Sequence, residues 1–251
     1  KQILIWSNAL VGEIEESDRR AGESRGAAGY RSMYELRSYL EDLITESRTL
    51  GADRGGVIDR MVHAEMHGQL LTDQQLVGYL FLLIAAGNDT TRNALAGGVA
   101  ALLEHPEQTD LLCANPRLMP FAVEEILRWT SPVGSFLRTA TADFDLSGTK
   151  IAAGDTVGIF YPSANRDERV FKDPYHFDLT RNPNPHLTFG FGAHFCLGTN
   201  LAKAELKASL HALLPHLKRL KISGKATRLA QTHVIGYSTL PMSLVTESKI
   251  D

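Results

Sequence analysis

The chain has 251 residues, of which 43% are hydrophobic and 22% charged, and it carries a formal net charge of −3 at pH 7. This is the composition of a globular protein with a sizeable core, and the small negative charge argues against a nucleic-acid partner or attraction to acidic membranes. Only two cysteines occur, Cys113 and Cys196, which argues against a disulfide framework and favours a reducing cytoplasm.

The first half of the sequence is predicted to be helical. Apolar spacing indicates helices over residues 1–15, 30–48 and 57–67, with a charged surface loop over 17–28. Thr72 is expected to cap a long helix over 73–105 that Pro106 ends. The first half of that helix is apolar on all sides, so we expect it to be buried. Its apolar run is too short to span a bilayer, and the sequence shows no membrane anchor.

A further helix is expected over 120–129, after which the sequence changes in character. Residues 135–161 are rich in Thr, Val, Ile and Phe and predict a small β region. Residues 162–195 are expected to be a long irregular stretch of the kind that is usually functional. A last helix is predicted over 197–214, followed by short strands. The expected fold is mainly α with a minor β region, in a single domain over 1–251.

A lone cysteine lies in the run Phe189-Gly190-Phe191-Gly192-Ala193-His194-Phe195-Cys196-Leu197-Gly198, just before the last predicted helix. The amide donors and positive end of that helix would stabilise a thiolate, and one cysteine with flanking glycines suits a single axial ligand to haem iron. A buried structural cysteine is the alternative interpretation. Zinc is the alternative metal, but a structural zinc site takes four N or S ligands, and the sequence has no second cysteine cluster.

A second polar run, Ala86-Gly87-Asn88-Asp89-Thr90-Thr91, lies inside the long apolar helix. A buried acid among hydroxyls is costly unless it is functional or well partnered. Threonine hydroxyls that bond back to the preceding turn would loosen the helix and make room for a ligand. Polar packing between helices is the alternative.

Two further residue groups carry charge at informative positions. Glu125 and Arg128 are three residues apart, so they share one face of a helix and can pair directly. Taken alone, such a pair usually lies on a surface and contributes little. Arg138 lies beside apolar neighbours on a predicted strand, where alternation points it away from Leu137. An inward arginine needs an anionic partner, and the alternative is an arginine that faces solvent.

Together these runs resemble the cytochrome P-450 superfamily, of the soluble bacterial type. The pattern Phe-x-x-Gly-x-x-x-Cys-x-Gly is similar to the family's cysteine loop, and the polar helical run is similar to its oxygen-activating stretch. The resemblance implies that Cys196 binds the iron of haem b, with Phe189 and Gly198 beside it. It also implies that His194 and Arg138 bind the haem propionates.

The resemblance assigns the remaining motifs as well. Thr90 would hold the hydroxyl network at the dioxygen site, and Asp89 would relay protons from solvent. The Glu125–Arg128 pair would be buried and completed by His176, in the position where arginine is commoner in the family, and would hold the cysteine loop in place.

The function implied is that of a haem-thiolate monooxygenase, which inserts one oxygen atom from O2 into a hydrophobic substrate such as a steroid, a terpenoid or a lipid-like molecule. Electrons would come from NAD(P)H through a ferredoxin reductase and a ferredoxin, whose acidic surface would dock near Lys203 and Lys207. By the resemblance, the sequence is expected to correspond to the C-terminal portion of the family's fold, without its N-terminal part. The alternatives are a truncated haem-binding relative without catalytic activity, acting as a carrier or sensor, and a fragment that binds no haem.

Overall fold

The structure is a computed structural model that describes residues 2–10, 14, 16–50, 56–230 and 233–245. Its helices are α1 (Gln2–Leu10), α2 (Arg25–Leu50), α3 (Val57–Val62), α4 (Asp73–Glu104), α5 (Pro106–Ala114), α6 (Met119–Thr130), α7 (Tyr161–Ala164) and α8 (Thr199–Leu213). Its strands are β1 (Glu65–Met66), β2 (Gln69–Leu70), β3 (Ser135–Thr139), β4 (Phe144–Leu146), β5 (Thr149–Ile151), β6 (Thr156–Phe160), β7 (Leu220–Ile222), β8 (Thr227–Arg228), β9 (Tyr237–Thr239) and β10 (Met242–Leu244). The expected fold, mainly α with a minor β region, is confirmed.

The chain divides into two compact units, Lys1–Asp89 and Thr90–Asp251. The division falls within α4. The single domain expected over the whole chain stays a prediction. Of the helices in the described ranges, none combines the length and the apolar character that crossing a bilayer requires.

In the first unit, amphipathic helices enclose a small apolar core. Its buried members are Trp6, Leu36, Leu40, Ile44, Val62, Leu71, Leu76 and Leu80. Helix α2 begins at Arg25, inside the stretch expected to be a loop, and the predicted helix over 1–15 extends partly outside the described residues. Thr72 caps α4 as predicted: its backbone N–H donates to Gln75 Oε1 at 2.9 Å, and its Oγ1 accepts the Gln75 N–H at 3.3 Å. Such a reciprocal pair is a capping box.

The helix predicted over 57–67 is shorter than expected, because a hairpin replaces its second half. Helix α3 ends at Val62, and β1 pairs antiparallel with β2. The two residues between the strands, His67 and Gly68, have φ values of 55° and 76°. Positive φ at both central residues is the requirement of a tight type I′ turn, which fixes the register of the strands.

The expectation that the first half of α4 is buried on all sides is wrong. Within the first unit, Leu76 and Leu80 form a buried stripe, whereas Tyr79 and Leu82 are 43% and 62% exposed. An apolar sequence indicates which faces of a helix can be buried, but a face is buried only where a neighbouring element covers it. At its other end α4 stops at Glu104, and Pro106 occupies the first turn of the new helix α5.

In the second unit, α6 and α8 pack on one apolar core. Its buried members are Ala94, Ala101, Leu102, Leu112, Met119, Ala122, Val123, Ile126, Leu127, Phe177, Leu179, Leu206, Leu210 and Leu217. The strands form antiparallel pairs of two, β3 with β6, β4 with β5, β7 with β10 and β8 with β9. Residues 162–195 contain no strand, as predicted, and they connect the β3–β6 region to the loop before α8.

Candidate functional site

The cysteine loop is a tight turn that ends beside the start of α8. Gly190 and Gly192 have φ values of 74° and 70°, which a residue with a side chain rarely adopts. The Cys196 N–H donates to the Phe189 carbonyl at 2.9 Å and closes the loop. The Thr199 hydroxyl donates to the Cys196 carbonyl at 2.8 Å, and α8 begins at Thr199 rather than at the predicted Leu197. The loop therefore holds the cysteine three residues before a helix N-terminus.

The surface around the cysteine is apolar and open. Cys196 itself is half-buried, while Phe191 and Leu197 are 84% and 91% exposed, and Phe195 and Leu201 are also exposed. A half-exposed thiol within an apolar surface fits a planar apolar macrocycle that takes one protein ligand. In the part of the chain that the structure describes, no three His, Cys, Asp or Glu side chains come together as a metal site, which disfavours the zinc alternative.

A buried ion pair lies behind this loop, on α6. The Arg128 and Glu125 side chains have no exposed surface. The guanidinium donates to both carboxylate oxygens of Glu125, at 2.7 and 2.8 Å. Its remaining N–H groups donate to the carbonyls of Asn165, Pro174 and His176 at 2.8 to 3.2 Å. All five donors of the arginine are used, so α6 is tied to the irregular stretch that leads to the cysteine loop.

The third member of this network is Arg181, and the prediction of His176 is wrong. Arg181 Nε donates to Glu125 Oε2 at 3.2 Å, and the rest of its guanidinium binds carbonyls, including that of His176 at 2.9 Å. His176 contributes only its backbone, because its exposed side chain lies outside the network. The planar fork of an arginine bridges a carboxylate and several carbonyls at once, which an imidazole cannot do.

Asn165 is a positioning residue that the sequence analysis did not single out. It is fully buried. Its Nδ2 donates to Ser131 Oγ at 2.8 Å and to Thr188 Oγ1 at 2.9 Å, and its Oδ1 accepts the Leu187 N–H at 2.7 Å. The available signal was its place in the polar run Ser163-Ala164-Asn165-Arg166-Asp167, within the irregular stretch that was expected to be functional.

A charged cluster joins α6, the entry to the loop and α8. Glu124 Oε2 lies 3.0 Å from His186 Nε2, and Glu124 Oε1 lies 2.7 Å from Lys203 Nζ. Burial alone would raise the pKa of Glu124, but the bonds from His186 and Lys203 outweigh it and lower that pKa below its ordinary value of 4.5. Lys203 Nζ also lies 5.4 Å from the centre of the Phe189 ring. Lys203 is thus engaged within the protein, while Lys207 is exposed.

The other predicted site residues lie as follows. His194 is exposed in a 3-10 turn of the cysteine loop. Arg138 is half-buried on β3, where its guanidinium donates to the Leu137 carbonyl and lies 5.9 Å from the centre of the Phe136 ring. Gly198 lies two residues after the cysteine, and a Cβ placed on it would lie 3.9 Å from Cys196 Sγ. The structure thus gathers Phe189, His194, Cys196 and Gly198 in one loop and places Arg138 on a strand.

Asp89 and Thr90 are consecutive residues of α4, the last of the first unit and the first of the second. Asp89 is buried, with Oδ1 accepting a bond from Asn88 Nδ2 at 3.2 Å, and Thr90 is half-buried. Asn88 Nδ2 also donates to Ser7 Oγ at 3.1 Å. Helix α4 is continuous through these residues, so the predicted loosening is not present in its backbone.

A cavity of about 710 Å³ lies elsewhere in the second unit. It is lined by residues that include Asn93, Trp129, Arg166, Arg228 and Tyr237, and by none of the predicted site residues. Its lining contains no cysteine, so it cannot supply a thiolate ligand to haem iron. The candidate site of this unit is therefore the open surface around Cys196.

The comparisons of this chain with family models, curated proteins and solved structures agree with one another on one family. The family model for cytochrome P450 matches residues 31–242. A methyl-branched lipid omega-hydroxylase of Mycobacterium tuberculosis is 48% identical over 250 residues, which cover 97% of this chain and 56% of the relative. A steroid C26-monooxygenase of Mycolicibacterium smegmatis is 38% identical over 224 residues, 89% of this chain and 55% of the relative.

A solved structure, a cytochrome P450 of Mycobacterium marinum in complex with pseudoionone, superimposes with a TM-score of 0.86 at 36% identity. The match covers 97% of this chain and 58% of that one. The chain thus spans little more than half the length of the relatives that it matches.

Proposed function

The chain belongs to the cytochrome P450 family, and we propose that it forms the haem-thiolate portion of a monooxygenase that inserts one oxygen atom from O2 into a hydrophobic substrate. The observation that carries this proposal is the Cys196 loop. It presents a half-exposed thiol before the N-terminus of α8, within an exposed apolar surface.

Five residues of the second unit would hold the haem. Cys196 would bind the haem iron through its sulfur, with Phe189 and Gly198 packed beside it, and His194 and Arg138 would donate to the haem propionates. When bound, haem with a thiolate ligand supplies the cleavage of the O–O bond, because the thiolate pushes electron density toward the iron. The amide donors before α8 would stabilise the negative sulfur, and the apolar side chains around it would keep water away.

Asp89 and Thr90 would transfer protons from solvent to the dioxygen site. The reaction delivers one oxygen atom to a C–H bond of the substrate and releases the other as water, which consumes two protons and two electrons. By the family resemblance, the buried Asp89 carboxylate would pass protons from solvent, and the Thr90 hydroxyl would order the last donor in that path. The electrons would come from NAD(P)H through a ferredoxin and its reductase, with docking near the exposed Lys207.

The comparisons support a lipid-like, steroid or terpenoid substrate, since relatives act on methyl-branched lipids and on steroids and one neighbour binds pseudoionone. We also propose a cytoplasmic location, which the two free cysteines support, because free thiols are typical of a reducing compartment. A panel of branched fatty acids, sterols and terpenoid ketones, titrated into the haem-loaded protein, would rank these classes by the change in haem absorbance.

The test of haem-thiolate binding is reconstitution of the chain with haem, followed by reduction and addition of carbon monoxide. An absorbance band near ~450 nm is expected for a thiolate ligand. Cys196→Ala should remove that band. Cys113→Ala is the matched control: Cys113 packs against the core of the second unit, where burial raises its pKa, and the band should persist. A band retained in Cys196→Ala would overturn the proposal.

The test of the proton role is Thr90→Ala in the haem-loaded protein supplied with redox partners and substrate. The thiolate band should remain, while the ratio of product formed to NAD(P)H consumed should fall at least about tenfold, since a general acid contributes about 10²–10⁴-fold to the proton transfer that it serves. Product formed in unchanged ratio would refute the role of Thr90. A band with no product in the parent protein would favour the carrier alternative.

A further inference from the structure

We propose that Glu124, His186 and Lys203 are positioning residues that hold Phe189 against the cysteine loop and set the charge environment of the Cys196 sulfur. This inference rests on the proposed function, since it concerns the same sulfur. None of the three residues was predicted to hold haem or to carry protons, and Lys203 was predicted only as part of a ferredoxin docking surface.

The first step is the hydrogen bonding of the cluster. The His186 side chain is almost completely buried, and its Nδ1 lies 3.3 Å from the Thr188 N–H, which it accepts. A neutral imidazole that accepts at Nδ1 carries its proton on Nε2, so His186 donates to Glu124. With Lys203 bound to its other oxygen, the carboxylate is held from two sides, one on the loop entry and one on α8.

The second step is the contact of both partners with Phe189. The His186 ring lies 6.0 Å from the Phe189 ring, centre to centre, and the Lys203 ammonium lies 5.4 Å from the same ring centre. A cation at that distance is attracted by the face of an aromatic ring. The Phe189 carbonyl accepts the Cys196 N–H, so the side chain that the cluster holds belongs to the residue that closes the cysteine loop.

The third step is charge. In the interior and at partly buried surfaces, a nearby positive charge stabilises the more reduced state of a redox group, and a negative charge destabilises it. Glu124 and Lys203 bear opposite charges on one cluster. Removing one or the other should therefore move the reduction potential of a haem bound at Cys196 in opposite directions, which loss of structure alone would not do.

The first experiment measures hydrogen exchange at the Cys196 amide in the full chain without haem. In His186→Ala, exchange should be about tenfold faster, because the loop entry loses its tie to α6. His186→Gln keeps an Nε2 donor for Glu124 and should exchange within about threefold of the parent. His211→Ala, which changes an exposed histidine of α8, is the control and should exchange like the parent. Unchanged exchange in His186→Ala would overturn the proposal.

The second experiment measures the reduction potential of the haem-loaded chain. Lys203→Met should lower the potential, Glu124→Gln should raise it, and the double variant should lie between the two. Lys207→Met removes an exposed charge of the same helix and should leave the potential unchanged, because water screens it. Shifts of equal sign in the two single variants would refute the charge role. If the parent chain bound no haem, the proposed function would fail, and the exchange experiment would still decide this inference.

Discussion

The two sides of the cysteine loop differ sharply in how they are built. Behind the loop, Glu125, Arg128 and Asn165 are fully buried, and their polar groups bind one another and the backbone of residues 162–188. In front, Phe191 and Leu197 are exposed and apolar. The fold therefore fixes the position of the loop from behind with hydrogen bonds, and leaves in front a surface suited to a flat apolar partner.

The largest loss of stability is expected from a substitution of Arg128, which belongs to the buried network behind the loop. Arg128→Met keeps the length of the side chain but leaves the Glu125 carboxylate buried with less than its full set of donors. Removing one partner of a buried pair costs about 3–5 kcal/mol. We expect a loss of that size in the free energy of unfolding, measured with urea. Arg169→Met changes a surface pair with Asp167 and should leave unfolding unaffected. An equal loss in both variants would contradict the difference between the buried and exposed pairs.

The sequence predicted well those features that depend on residues close together in the chain. The Thr72 cap, the helices α2, α4, α6 and α8, and the glycine loop before α8 all follow from spacing within a few residues, although several helix ends differ from the predicted ones. The loop hairpin at His67–Gly68 was missed because helical spacing over 57–67 outweighed a two-residue turn signal. In a short segment, the turn chemistry of two residues can decide the structure.

Features that join distant segments were harder to predict. Arg181 lies 56 residues from Glu125, and Asn165 lies 37 residues from Arg128, so no local pattern pairs them. The resemblance correctly predicted the buried pair but assigned its third member to His176. That assignment rested on the position of the residue in the sequence and not on the number of N–H donors that Glu125 and the nearby carbonyls need. The exposed side of α4 was missed for a related reason: burial depends on a neighbour that sequence periodicity does not show.

An intermediate loss of stability is expected for Arg181→Ala, and a much smaller one for His176→Ala. Arg181→Ala removes a charged donor from Glu125 and several bonds to carbonyls, and should lower the free energy of unfolding by about 1–3 kcal/mol. His176→Ala keeps the carbonyl that both arginines use and should change stability by less than about 0.5 kcal/mol. Thermal unfolding of the two variants measures the difference. A larger loss of stability in His176→Ala than in Arg181→Ala would indicate that the His176 side chain is part of the network after all.

The smallest effect concerns the backbone of the loop itself. An added Cβ on Gly192 would meet no atom within 4 Å, so an alanine there would be penalised by its φ of 70° alone. The left-handed conformation costs a residue with a side chain about 1–2 kcal/mol. Gly192→Ala should therefore lower stability by about that amount, and it should weaken the thiolate band, because relief of the strain would shift the loop that holds the cysteine.

Gly78→Ala provides the matched comparison for that prediction. Gly78 lies inside α4 with ordinary helical φ, and its added Cβ would also meet no atom within 4 Å. Alanine is preferred to glycine in a helix by about 1 kcal/mol, so Gly78→Ala should raise stability and leave the thiolate band unchanged. Opposite signs for the same chemical change would show that the positive φ of Gly192, and not packing around it, decides the cost of a side chain in the loop. If both variants were stabilised, the loop would not be strained by a side chain at Gly192, and its shape would have to come from the hydrogen bonds behind it alone.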